Sequence, residues 1–273
     1  MSADSVLERV DSLRRQLTGL VTLKEDLQPA ISWGCPELDQ LMPGGSLQPG
    51  MLVDLLYERR GSGATSLAMH CAKQAVLHQS GPLVVVDRGG RFYPPAAIAR
   101  GIEARDLIMV GTDASRGPMS GAEELWALDQ ALRCPGVAVV MAWIDKIDPN
   151  AFRRLQLAAE VGQTLALLIR PARVRALPTW ADVQLLVSPS VATHVVNENR
   201  FCRATLLRQR GRAGSSTVEG TSLDLEINEV ATDGVAQGTL QICAGTVNRN
   251  EARTMHMAPR VAHSAARRRS AGA

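Results

Sequence analysis

Two hydrophobic periods alternate along the chain. Short, mostly apolar runs stand at 51–57, Pro82–Asp87, Asp106–Gly111, Pro135–Ala142 and Thr164–Arg170. Runs of this kind suit strands covered on both faces, as in a parallel sheet. Between them apolar residues recur at helical spacing, over Thr65–Gln79, Pro94–Gly101, Met119–Arg133 and Pro149–Val161. Pro36–Leu41 reads as one or two helical turns with proline leading, and Asp182–Ser188 and Phe201–Arg208 as further extended segments. Trp126, Leu128, Leu132, Leu155, Leu157 and Ala158 fall on the helical repeat and are expected in the core. Strands that alternate with helices predict an α/β fold, a mainly parallel sheet flanked by helices and joined by right-handed crossovers.

The ends of the chain follow other patterns. Val6, Val10, Leu13, Leu17 and Leu20 step by four and three, which predicts an amphipathic helix over 3–27. That helix packs on its own domain or serves as an arm for a partner. From about residue 246 periodicity fades into Asn, His, Ala, Arg and Ser, the composition of a disordered basic tail. The expected division is an arm at 1–28, an α/β core at 29–245 and a tail at 246–273.

One stretch carries candidate chemistry. The apolar run ending at Tyr57 meets Glu58-Arg-Arg-Gly-Ser-Gly-Ala-Thr65 and then a helix. That is the layout of a phosphate-binding loop, G-x-x-x-x-G-K-[ST], in which backbone N–H groups and a helix N-terminus face an anion. Gly63 and Thr65 fill their slots and Gly61 punctuates the turn, but Glu58 replaces the first glycine and Ala64 the lysine. Hydrolysis would also need a carboxylate ending a buried strand to hold Mg²⁺, and a further group to orient water. Ala142-Trp143-Ile144 stands where the first is expected, so that place is apolar, with Asp145 further on as a turn residue. Gly89 stands where the second is expected, two residues after Asp87, which can cap the turn. Arg59 and Arg60 supply charge, but a planar fork does not replace a lysine point charge. With all the charged parts missing, no nucleotide turnover and no cofactor are expected, and the backbone amides leave room only for weak ATP binding.

Composition narrows the classes further. Aromatics make up 3% of residues, too few for base stacking to be an obvious binding mode. Five scattered cysteines, at 35, 71, 134, 202 and 243, favour buried thiols over a disulfide framework or a zinc site. No His pair has metal spacing, and nothing marks Ser62 as a nucleophile. The opening residues lack a basic stretch followed by an apolar one, and no apolar run reaches the roughly 20 residues of a membrane span, so a cytoplasmic location is expected. Five arginines and no acid lie between Arg200 and Arg212, which makes Arg203, Arg208, Arg210 and Arg212 candidates for phosphate contact with DNA.

The segment from Ile31 to Gly50, "IS-x-G-x-P-x-LD-x-L-x-x-GG-x-L-x-x-G", followed by a strand and the loop, resembles the entry to RecA-like ATPases. The runs "LWA-x-x-QALR", "V-x-AW", "RRLQLAAE-x-G", "RP" and "LLR-x-RG" between Glu124 and Gly211 are similar to the ImuA family. The resemblance implies a RecA-like core turned into a binding module for SOS-induced mutagenesis and translesion synthesis. It implies an ImuB-like Y-family protein, an error-prone DnaE-type polymerase, RecA and DNA as partners, and no membrane. Two other classes stay open: a DNA-stimulated ATPase of the RecA/RadA type, and a SulA-like inhibitor of cell division.

Overall fold

The computed structural model describes residues 30–42, 45–111, 119–190, 200–210, 220–227 and 242–245. The expected arm and tail, and Arg212, lie outside the described residues. The element order is α1 (Pro36–Gln40), β1 (Leu52–Tyr57), α2 (Ala64–Gln79), β2 (Leu83–Asp87), α3 (Pro94–Ala99), β3 (Leu107–Gly111), α4 (Gly121–Arg133), β4 (Val139–Trp143), α5 (Pro149–Gly162), β5 (Leu165–Pro171), β6 (Val183–Pro189), β7 (Arg200–Gln209), β8 (Ser222–Ile227) and β9 (Ile242–Gly245). They build one nine-stranded sheet in the order β3-β2-β4-β5-β1-β6-β7-β8-β9. The strands from β3 to β6 in that order pair in parallel, and β7, β8 and β9 continue the sheet antiparallel. The α/β class and the mainly parallel sheet are as expected. The strands β8 and β9 were not anticipated. No helix among the described residues is long and apolar enough to cross a membrane.

Alternation along the central strands sorts the core into two layers. Val53 and Leu55 of β1, with Met141 and Trp143 of β4, pack on the side of α2; Leu52, Val140 and Ala142 pack on the side of α4 and α5. Leu128, Leu132, Leu155 and Ala158 are buried as expected. Trp126 and Leu157 correct the expectation, at 65% and 39% exposed: helical spacing identifies a stripe, and these two lie outside the stripe that meets the sheet.

Local chemistry sets the boundaries. Helix α4 begins at Gly121 rather than Met119 because Ser120 closes a capping box: its side chain accepts from Glu123 N–H, and its own N–H donates to Glu123 Oε2 at 2.7 Å. Helix α5 begins where Asp148 Oδ1 accepts from the N–H groups of Asn150 and Ala151, with Pro149 at the first position. Strand β4 starts later than expected, after a turn in which Val137 N–H donates to Cys134 O, and runs on through Trp143. At the ends of α4 and α5 a Cβ on Gly162 would sit 2.0 Å from Leu132 O, so only glycine permits this close approach.

The centre of the sheet holds one buried ion pair. Asp54 on β1 is 0% exposed; its Oδ2 accepts from Arg170 Nη1 of β5 at 3.1 Å and from Gln184 Nε2 of β6 at 2.9 Å. The Arg170 guanidinium also lies 5.1 Å from the Phe152 ring centroid, under α5. Burial pushes the Asp54 carboxyl pKa up, and the Arg170 charge and the Gln184 amide oppose it. Removing one partner leaves the other charge buried alone, which costs about 3–5 kcal/mol, whereas neutral replacement of both is tolerated far better. Arg170→Met is expected to lower urea stability by that amount, and Asp54→Asn added to it to restore most of the loss. A single variant within about 1 kcal/mol of the parent would contradict the role given to the pair.

Candidate functional site

Strand β1 hands over to α2 through the glycine-punctuated loop. Glu58 N–H donates to Val187 O at 3.1 Å, tying the loop's start to the end of β6. Ser62 N–H closes a turn on Arg59 O at 3.2 Å, and Gly61 and Gly63 take φ of +81° and +97°, where side-chain-bearing residues are strained. Gly63 is the N-cap of α2 and no side chain caps the helix, so the first-turn N–H groups have no intrahelical partner. The loop keeps an anion-facing shape without the lysine.

It opens on a cavity of about 680 Å³. Arg59 to Ser66 line one side, Gly89, Gly90 and Arg91 after β2 another, with Tyr57, Trp143, Ile169, Phe201 and Cys202 completing the walls. Of the loop residues named from sequence, Gly61, Gly63, Ala64 and Thr65 come together here, and Glu58 is exposed outside the lining. Ala64 is 4% exposed and belongs to the buried face of α2.

Of the apolar residues at the expected metal position, Ala142 packs in the core on the α4 and α5 side, away from the loop. The residue at the end of β4 that faces α2 is Trp143, one position on. Its Nε1–H points at Thr65 Oγ1 at 3.4 Å, and its ring lies 6.0 Å from that of Phe92 at a tilt of 48°. An indole therefore stands against the hydroxyl that would ligate Mg²⁺ in an active loop.

The neighbouring acids are engaged elsewhere. Asp87 caps its turn, with Oδ1 accepting from Gly89 N–H at 3.1 Å and Oδ2 from Phe92 N–H at 2.6 Å. A Cβ at Gly89 would meet Arg91 Nε at 3.2 Å, so the water-orienting position is backed by a cation. Asp145 pairs with Arg91 at 3.5 Å and Arg173 at 3.2 Å. Glu124, unnoticed in the sequence, is 4% exposed and pairs with Arg88 at 3.3 Å; burial raises its pKa, and Arg88 and Arg91 oppose the rise. Among the described residues no cluster of three metal-ligating side chains occurs.

The arginines of β7 form a second feature. Cys202, Ala204 and Leu206 are buried on the α2 side, so Arg203 faces the other way. A bulge at Gln184/Leu185 resets the alternation, and Gln209 reaches Met42 of the α2-side core. Arg208 and Arg210 therefore share the face of Arg203. Arg203 donates twice to Asp224 of β8, at 2.9 Å each, which holds that carboxyl below its ordinary pKa. Arg208 is exposed, and Arg210 lies over the Trp180 ring at 5.0 Å, with Arg153 at 4.7 Å from the same ring. The bulge is set by the partner strand and could not be read from the sequence of β7.

No family model matches the chain. Among curated proteins it is similar to Protein ImuA of two strains of Caulobacter vibrioides, 30% identical over 136 residues, 48% of this chain and 53% of each relative. The chain thus spans about half the length of the curated relatives it matches. The resemblance to the ImuA family carried by its motifs is borne out over about half of the chain's length.

Proposed function

We propose that the chain is a non-catalytic, RecA-like accessory protein of SOS-induced mutagenic DNA repair, acting in the cytoplasm through protein partners and DNA. The relationship to ImuA supports the setting, and the mainly parallel sheet with a lysine-free phosphate loop supports a RecA-like ancestry. The partners in this reading are an ImuB-like Y-family protein, a DnaE-type polymerase and RecA.

One observation carries the non-catalytic part: the Trp143 indole sits against Thr65 where a metal-holding carboxylate would be needed. Phosphoryl transfer on such a loop depends on a lysine, a metal and a positioned water. Ala64, Trp143 and Gly89 remove all of these, and Asp87 and Asp145 are committed to a turn and to arginines. Phosphate release from magnesium-ATP is expected to stay at the buffer background, with and without single-stranded DNA. DNA-stimulated turnover that Thr65→Ala abolishes would establish an ATPase instead.

The shared face of Arg203, Arg208 and Arg210 supports the DNA part. Arg203 is held by Asp224, so Arg208 and Arg210 are the expected phosphate contacts. Each contact to a single strand adds about 0.7 to the slope of log affinity against log salt. The double variant Arg208→Ala/Arg210→Ala is expected to reduce that slope by about 1.4. An unchanged slope would remove these two residues from the interface.

A further inference from the structure

The cavity above the loop has features that the loss of nucleotide chemistry leaves unexplained. Its volume, about 680 Å³, lies within the range of sites that hold specific ligands. Ser62 lines it, is 3% exposed, and its Oγ has no hydrogen-bond partner. A buried hydroxyl left without a partner is costly, and this one has the cavity beside it. The uncapped start of the 16-residue helix α2 and the guanidinium groups of Arg59, Arg60 and Arg91 favour negative charge at the same end. Four acids lie nearby: Glu58 is exposed outside the lining, Asp87 is tied to the turn by the N–H groups of Gly89 and Phe92, Asp145 is paired with Arg91 and Arg173, and Glu124 with Arg88. Tyr57, Trp143, Ile169 and Phe201 make the remainder of the walls largely apolar.

A polyphosphate would find a poor match here. Several adjacent charges need the lysine and the metal, and Ala64 and Trp143 occupy those places. A single carboxylate needs neither. Backbone N–H groups, one hydroxyl and an arginine fork are the donors that capture a peptide's terminal carboxylate. An apolar side chain next to that carboxylate would have Tyr57, Trp143 and Phe201 to pack against.

We propose that the cavity is a socket for the carboxylate-bearing apolar end of a partner protein, with the carboxylate at Ser62 and the start of α2 and the adjoining side chain against Trp143 and Phe201. The inference rests on the non-catalytic reading of the same loop. It converts a phosphate loop into a peptide-recognition site without changing the backbone of the turn.

The test is fluorescence anisotropy on the full chain. The probe is an N-terminally labelled peptide, Ser-Gly-Leu-Phe with a free C-terminus, beside its C-terminal amide. The free acid is expected to bind saturably, the amide at least tenfold more weakly, and EDTA to make no difference. Ser62→Ala removes one hydrogen bond to a charged group and is expected to weaken the acid roughly tenfold. Arg60→Ala, at an exposed position, is expected to weaken it as well. Equal binding of acid and amide, no binding of the acid at millimolar concentration, or no effect of either substitution would overturn the socket. Displacement by ADP at lower concentrations than the unlabelled peptide would assign the cavity to a nucleotide and overturn it too. Those results leave the non-catalytic reading standing, which phosphate release alone would overturn.

Discussion

A parallel sheet must be covered on both faces, and that constraint organises everything else in this chain. It explains why β1, β2, β4 and β5 are buried along their length and why successive residues of one strand belong to different cores. It also makes Asp54 expensive: a carboxylate in the middle strand has no route to water. Arg170 and Gln184, contributed by the two neighbours of β1, are the response, so the charge is matched across three adjacent strands. The same alternation decides the candidate site. At the end of β4 one residue faces α5 and the next faces the loop, and the side facing the loop received a tryptophan.

That tryptophan gives the degenerate loop a consistent physical reading. The turn conserves what a strand-to-helix connection needs, namely glycines at positive φ and an open helix start. The groups that would make it a metal-dependent phosphate site are absent in a coordinated way. Ala64 is absorbed into the core of α2, Trp143 closes on Thr65 and Phe92, and Arg91 comes up beside Gly89. What is left is a cationic, partly aromatic cavity with one orphaned hydroxyl.

The sequence made the buried strands legible because runs such as Leu83–Val86 and Leu165–Ile169 are apolar on both faces. It made the loop legible because Gly63 and Thr65 keep the spacing of the motif and Gly61 punctuates the turn. The errors have local causes. The capping box Ser120/Glu123 is a pattern in the sequence, and it sets the start of α4 at Gly121, inside the apolar periodicity that begins at Met119. β8, with apolar Leu223, Leu225 and Ile227 alternating with Asp224 and Glu226, has the pattern of a one-sided strand and was legible on that ground. Trp126 and Leu157 show that helical spacing does not give the width of the buried stripe. Which of Ala142, Trp143 and Ile144 faces the loop depends on where β4 ends, because a shift of one residue reverses the face. Arg91, Glu124 and the bulge at β7 depend on partners distant in sequence, and nothing local announces them.

The central claim is that Trp143 closes the metal position. Equilibrium dialysis of labelled ATP against the full chain, with magnesium and with EDTA, addresses it directly. If the indole closes that position, retention of ATP is weak and the same in both conditions. Binding that tightens tenfold or more with magnesium would show that a metal still enters beside Thr65, and would contradict the account.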